Sequence, residues 1–118
     1  MPYQRGDIVE VPFIIPDTNR SENHPAVIIS NDNVSAGDGI YICAMITHSV
    51  HRDMFSFILE NDMLNRPLDD AISQVRCHLI TYILESHVIP NPHRNRMRAN
   101  AVDRLVTRIN AVSLEDIR

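Results

Sequence analysis

The sequence places one imidazole at the boundary between a polar stretch and an apolar stretch. His24 follows PDTNRSEN (Pro16–Asn23) and opens the run HPAVIISND. An unperturbed imidazole titrates near neutral pH, so it can both take and give a proton. A strand beside a surface loop can hold such a group rigidly at the edge of a groove. This pattern predicts a proton-transfer role for His24; the alternative is a ring hydrogen bond to the backbone that caps the loop.

Polar side chains also interrupt two other apolar segments. Thr47 closes IYICAMIT, and Gln74, Arg76 and His78 alternate with apolar residues in AISQVRCHLITYIL. Arginine forms planar, forked hydrogen bonds to phosphate, and a hydroxyl can donate to a phosphate oxygen. An amide, a guanidinium and an imidazole on one face of a strand therefore suit RNA or phosphate. The alternatives are that Thr47 only ends a strand and that the three polar side chains form a solvated face with weak salt bridges.

Period-two alternation and apolar runs predict five strands around these residues. In the first strand, Pro12 cannot donate to a ladder, so we expect an edge or a bend there. The turn residues Asn31–Asn33 and Gly37–Gly39 connect the second strand to the third. The segment ENDMLNRP predicts a short helical turn that stops at Pro67. The five strands are Asp7–Ile15, Ala26–Ser30, Ile40–Thr47, Met54–Leu59 and Ala71–Leu84.

A single amphipathic helix is predicted near the carboxyl terminus, where apolar residues recur at helical spacing. We expect Asn100 as its N-cap and Asp103 in its first turn. Short strands followed by one helix indicate a mainly β fold, a small bent sheet or barrel rather than a βαβ arrangement. The apolar face of this predicted helix comprises Ala101, Val102, Leu105, Val106, Ile109 and Val112.

Length and composition favour one domain over residues 1–118. Charged residues near the start of the chain exclude a signal peptide there, which predicts a cytoplasmic protein. The longest apolar run, Ile40–Ile46, is too short to cross a bilayer. Both cysteines are expected to be reduced core residues. The spacing of the histidines and cysteines matches no compact metal-ligand pair, so we expect no metal and no other cofactor; these residues are Cys43, His48, His51, Cys77 and His78.

Charge is unevenly distributed along the chain. The formal net charge of −4 argues against nucleic-acid binding by bulk positive charge. Every basic residue is Arg, and Arg94, Arg96 and Arg98 cluster in PHRNRMRAN. This cluster either holds a polyanion or forms a solvated loop.

Four segments in succession resemble the MazF/PemK family of toxin endoribonucleases: RGDIVEVPF, HPAVIISND, ICAMITHS and ISQVRCHLI. The resemblance implies a small SH3-like barrel of the MazF/PemK/CcdB toxin type with a C-terminal helix. It also implies a homodimer that cuts single-stranded RNA without a metal. Such toxins are held inactive by a cognate antitoxin, whose disordered tail lies across the RNA groove.

The carry-over of the family's functional residues is mixed. His24-Pro25 stands where the family usually has Arg-Pro, so the chemistry is either retuned or lost. Thr47 corresponds to the Thr that ends the family's third strand, and Gln74-Val75-Arg76 to its Gln-x-Arg. Ser73 stands where some members have an acidic residue, so a mechanism that uses that carboxylate does not transfer.

The resulting hypothesis is transesterification by the 2′-hydroxyl of the RNA. His24 transfers a proton, Arg76 stabilises phosphate charge and Thr47 donates a hydrogen bond to a phosphate oxygen. His48 or His51 could supply a second proton-transfer group. RNA contacts are assigned to Asn19, Arg20, His48 and Gln74.

Two rival classes remain open at this stage. One is a catalytically degenerate barrel that only binds an antitoxin or RNA, or poisons its target by contact, as CcdB-type toxins do. The departure at His24 favours it. The other is a metal-dependent hydrolase, for which only the scattered histidines argue.

Overall fold

The chain forms a six-stranded antiparallel sheet with two helices. The computed structural model describes residues 3–14, 17–67, 73–92 and 94–117. The strands are β1 (Ile8–Ile14), β2 (Ser21–Ile28), β3 (Ile40–Thr47), β4 (Ser56–Leu59), β5 (Ser73–Leu84) and β6 (Ile89–Pro90); the helices are α1 (Asp32–Asp38) and α2 (Ala99–Ile109). The strand order is β4-β5-β3-β2-β1-β6. This is the mainly β fold with a C-terminal helix that the sequence predicts.

The segment before α2 closes the sheet into a barrel. It bridges the start of β1 through Asp7 and Arg96, and the chain after β4 through Leu64 and Met97. Backbone hydrogen bonds join the same parts: Met97 N donates to Gly6 O at 2.8 Å, and Arg98 N donates to Met63 O at 2.7 Å. One segment therefore joins the start of β1 to the chain that follows β4.

Apolar residues pack on both faces of the sheet because its strands alternate. One face packs against α2 through Ala101, Val102, Leu105 and Ile109, all buried. The other face carries a second cluster that includes Val9, Val11, Ala26, Ile28, Tyr41 and Cys43. We call this second side of the sheet the open face, since α2 does not cover it. Val9 and Val11 of β1 are fully buried in this cluster.

Several predicted boundaries are wrong. The predicted loop Pro16–Asn23 is partly strand, because β2 begins at Ser21 and pairs with β1 out to Ile14. The turn between the second and third strands contains helix α1, with Asn31 as its N-cap. Helix α2 has Arg98 rather than Asn100 at its N-cap and no acidic residue in its first turn.

Other local predictions are confirmed. A short 3-10 turn occupies Asn61–Met63, where a helical turn was expected. Pro12 pairs with Asn23 of β2 and lies beyond the two residues of β1 that pair with β6, so its other side is a free edge. Both cysteines are free and buried, and burial raises the pKa of the Cys43 thiol to about 12. In the part of the chain that the structure describes, no helix has the length and apolar character needed to span a membrane.

A substitution at Gly6 tests the contact between the start of β1 and the segment that closes the barrel. The Gly6 φ of +96° is a conformation that L side chains rarely adopt, and an added Cβ would lie 2.7 Å from the backbone oxygen of Met97. We expect Gly6→Ala to lower the free energy of unfolding by at least ~1–3 kcal/mol, the cost of a strained backbone position. Urea denaturation followed by far-UV circular dichroism measures this.

Gly37→Ala is the matched control, since a Cβ there meets no atom within 4 Å. Its position inside α1 predicts a gain of up to about 1 kcal/mol. Equal effects of the two substitutions would contradict the closure described above.

Candidate functional site

His24 lies on the open face of the sheet, in the middle of β2. It is the Cα partner of Val11 on β1. Its ring packs edge-on against Phe13, with 6.1 Å between ring centroids, and its Nε2 lies 3.6 Å from Glu22 Oε2. The side chain is 28% exposed. The ring makes no hydrogen bond to the backbone of the described residues, so it does not cap the loop as the alternative proposed.

Thr47 is the last residue of β3, the strand that pairs with β2. The pairing of β2 with β3 runs from Ile28 to Ala26, which is the partner of Met45. Two residues further along each strand stand His24 and Thr47, on the same face as that pair because side chains alternate. Within the described residues the pairing ends at Ala26 and Met45, so His24 and Thr47 share a face of the sheet beyond the last paired residues. The Thr47 hydroxyl oxygen accepts a long hydrogen bond of 3.4 Å from Ser49 N.

Gln74 continues this arrangement onto a third strand. It is the Cα partner of Thr47 and is fully buried. Its Nε2 donates to the backbone oxygens of Ser49 at 2.9 Å and His51 at 2.6 Å. The expected solvated face is therefore wrong for Gln74. The buried amide ties β5 to the segment after β3, residues 48–55, which we call the β3–β4 loop.

Arg76 lies two residues beyond Gln74 and is only 12% exposed. Its Nη1 donates to Asp53 Oδ1 at 3.0 Å, and its Nη2 donates to Asp53 Oδ2 at 2.8 Å. Nη1 also lies within hydrogen-bond distance of Gln74 Oε1 and Ser56 Oγ. One edge of the guanidinium is thus occupied by a carboxylate. The other edge, Nε and the second Nη2 proton, has no partner among the described residues.

Asp53 is the charged centre of the β3–β4 loop. The hydrogen bond from Arg76 holds the pKa of the Asp53 carboxyl well below its usual range, against the opposing effect of desolvation. The Phe55 N–H, which donates to Oδ1 at 2.9 Å, and the Arg76 and His51 charges act in the same direction. The carboxylate is therefore charged wherever the protein is folded near neutral pH.

Two histidines belong to the same loop. His48 Nδ1 lies 3.0 Å from Ser73 Oγ, and Ser73 is buried. His51 Nε2 lies 3.2 Å from Asp53 Oδ2, and the His51 side chain is 69% exposed. His78 lies on the other side of the sheet, the side that α2 covers. The β3–β5 register shifts between Ala44 and Ile46. The His78 ring stacks on Phe55, with 4.1 Å between ring centroids. The three polar residues predicted to share a face are thus divided.

The remaining candidate residues lie further out. Asn19 and Arg20 are exposed at the tip of the β1–β2 hairpin, just before Ser21 pairs with Ile14. In the Arg-rich segment, Arg96 binds Asp7 and Gln4, and Arg98 donates to the Asp62 oxygen. Arg96 and Arg98 therefore help to close the barrel.

The structure brings together Thr47, Gln74 and Arg76, places His24 on the same face of β2, and adds one residue that sequence reasoning missed. Asp53 is separated from Arg76 by 23 positions, and nothing in its local sequence marks it as a partner. The sequence points to such a partner only indirectly. Gln74 and Arg76 are polar side chains on a strand whose other face is apolar, so once buried they need hydrogen-bond partners from a covering loop.

A family model of the "PemK-like, MazF-like toxin of type II toxin-antitoxin system" matches residues 4–113. The chain belongs to this family. The comparison with curated protein sequences gives no match. Solved structures share the fold: a MazE–MazF complex from Deinococcus radiodurans has a TM-score of 0.68 at 11% identity, over 95% of this chain and 96% of that one.

A second structure of the same MazF-type fold comes from a Mycobacterial species. It is an endoribonuclease in complex with its cognate antitoxin, with a TM-score of 0.69 at 10% identity, over 98% of this chain and 99% of that one. MazF alone from Deinococcus radiodurans has a TM-score of 0.67 at 13% identity, over 93% of this chain and 94% of that one. At these identities the likeness shows the fold of this PemK-like chain, and its site chemistry must be argued from its own residues.

The Arg76–Asp53 pair predicts a pH-dependent contribution to stability. Because the folded-state pKa of Asp53 is lowered, the stability lost in Asp53→Asn is fully present above the ordinary Asp pKa of about 4. It disappears as pH falls through the folded-state value. Urea denaturation of both proteins from neutral to strongly acidic pH measures the difference.

The Arg76→Gln background provides the control for this prediction. Without the guanidinium, which is the main cause of the lowered pKa, Asp53→Asn should show much weaker pH dependence. A difference that grows on acidification would contradict the assigned cause.

Proposed function

We propose that this PemK-like protein is an endoribonuclease toxin that cleaves single-stranded RNA by metal-independent transesterification. The observation that carries the proposal is that His24, Thr47 and Arg76 lie on one face of three adjacent strands, β2, β3 and β5. In this proposal the three side chains border an RNA-binding groove on the face of the sheet opposite α2.

The reaction needs three kinds of group, and this site contains all of them. A base takes the proton of the 2′-hydroxyl, an acid protonates the departing 5′-oxygen, and a donor stabilises charge on the pentacoordinate phosphorus. The RNA supplies the nucleophile itself. No side chain has to form a covalent intermediate.

His24 is the proton-transfer residue. Its ring is held between Phe13 and Glu22 and remains partly exposed, so a substrate can reach it. Arginine in the corresponding family position is almost always charged and serves as a poor base. An imidazole in its place exchanges charge stabilisation for proton transfer.

Thr47 and Arg76 bind the phosphate. The Thr47 hydroxyl accepts from Ser49 N, which leaves its proton to donate to a phosphate oxygen. The Arg76 edge formed by Nε and Nη2 offers a second fork of N–H donors, while Asp53 fixes the first edge.

RNA outside the scissile bond contacts the rim of the groove. Asn19 and Arg20 extend from the hairpin tip on one side, and His48 begins the β3–β4 loop on the other. Gln74 supports RNA binding indirectly, because its amide donates hydrogen bonds to the backbone of that loop. Sequence preference then comes from these side chains and from the loop shapes.

A cognate antitoxin and a second copy of the chain are the proposed protein partners. The support is the family and the two neighbours whose structures contain toxin with antitoxin. The action of this chain on RNA in the cytoplasm is part of the same proposal.

A non-catalytic binding barrel is the second candidate. It is favoured by His24 in the usual Arg position and by the Asp53 carboxylate, which already neutralises Arg76. Such a protein would hold RNA or an antitoxin and leave the RNA intact.

His24→Ala tests the enzyme proposal. Purified protein is incubated with single-stranded RNA in excess chelator, and the fragment ends are identified. We expect 2′,3′-cyclic phosphate and 5′-hydroxyl ends, and a rate about 10²–10⁴-fold lower in His24→Ala, the usual value of a general acid or base.

His87→Ala is the matched control, because His87 is exposed in the turn that follows β5, at the end of that strand remote from Gln74. Its rate should equal that of the wild type. RNA that is bound but uncut by the wild type selects the binding barrel, and cleavage that chelator stops contradicts the metal-independent mechanism.

A further inference from the structure

We propose that His51 is the second catalytic residue, the general base for the 2′-hydroxyl, and that Asp53 is its positioning residue. The inference rests on the proposed ribonuclease function and assigns His24 as the general acid. It derives from a carboxylate–imidazole contact on the β3–β4 loop.

The contact is built from a fixed carboxylate and an accessible ring. Asp53 is held by both terminal nitrogens of Arg76 and by the Phe55 N–H. His51 Nε2 reaches the same carboxylate at 3.2 Å, and more than two thirds of its side chain is exposed. The most exposed member of this network is therefore the one with a titratable ring.

The carboxylate selects the ring tautomer. A neutral imidazole that faces a carboxylate donates its N–H to it, so the proton lies on Nε2. The lone pair of Nδ1 then faces away from Asp53 and is available to accept a proton. When Nδ1 becomes protonated, the negative charge of Asp53 stabilises the imidazolium.

The backbone of His51 is anchored beside the other site residues. Its carbonyl oxygen accepts hydrogen bonds from Gln74 Nε2 at 2.6 Å and from Arg52 Nη1 at 3.1 Å. Its N–H donates to Ser49 Oγ at 3.1 Å. Gln74 is in turn the partner of Thr47. The loop therefore holds His51 on the β5 side of Thr47, whereas His24 lies on the β2 side.

Two imidazoles on opposite sides of a phosphate-binding hydroxyl suit this reaction. Nδ1 of His51 takes the 2′-hydroxyl proton while the 2′-oxygen bonds to phosphorus. The bond from phosphorus to the 5′-oxygen breaks, and protonated His24 gives that oxygen a proton. The products are a 2′,3′-cyclic phosphate and a 5′-hydroxyl, and proton exchange with water restores both rings.

The experiment compares His51→Ala, His51→Gln, Asp53→Asn and the double variant Asp53→Asn/His51→Ala in single-turnover RNA cleavage. Binding is measured separately with RNA that lacks the 2′-hydroxyl at the cleavage position. We expect His51→Ala to cleave about 10²–10⁴-fold more slowly with unchanged binding. The Gln variant, which has no base, should match it.

Two readouts separate catalysis from a structural role. Imidazole added to the solution should restore part of the rate of His51→Ala, since it replaces the missing base. Asp53→Asn should lower the cleavage rate strongly in the wild-type background and much less in the His51→Ala background. A positioning residue acts through the His51 ring, which that background lacks.

Each outcome decides between the proposals. A wild type that binds RNA and never cuts it overturns both the ribonuclease function and the role of His51. A wild type that cuts RNA while His51→Ala cuts at the rate of His87→Ala overturns the role of His51 alone. A slow His51→Ala that imidazole does not restore, or fully additive losses in the double variant, also overturns it.

Discussion

The paired hydrogen bonds between Arg76 and Asp53 are the interaction on which the candidate site depends. They join β5 to the β3–β4 loop. The buried amide of Gln74 reinforces the connection through two backbone oxygens of that loop. A charge this close to a guanidinium stays ionised, so the connection is an ion pair at neutral pH. The pair also fixes the carboxylate that His51 contacts.

The barrel explains why these polar groups can be buried at all. Helix α2 and the segment that closes the barrel cover one side of the sheet, and the candidate residues lie on the opposite side. On that side a buried apolar cluster supports β2, β3 and β5 from below. The polar residues lie at one end of these strands, where a loop can satisfy their hydrogen bonds. The strands thus fix the positions of the candidate residues, and the β3–β4 loop carries the His51–Asp53 contact.

Local patterns in the sequence predict most of the scaffold. Alternation identifies β1, β3 and β5, and helical spacing identifies the buried face of α2. Polar, exposed residues hide the start of β2, because the hairpin projects beyond the core and Ser21–Asn23 need no apolar side chains there. Helix α1 is short, with only Ser35 buried, so it has no apolar stripe. The register shift that moves His78 and the contact from Asp53 to Arg76 depend on tertiary packing.

The central claim is that one groove, bordered by His24, Thr47, Arg76 and the β3–β4 loop, receives the scissile phosphate. NMR titration with an RNA oligonucleotide that lacks the reactive 2′-hydroxyl tests it most directly. We expect the ring signals of His24 and His51 and the Nε–H signal of Arg76 to shift together, and the His87 signals to stay unchanged. Shifts confined to Arg94–Arg98, with both rings and Arg76 unaffected, would contradict it.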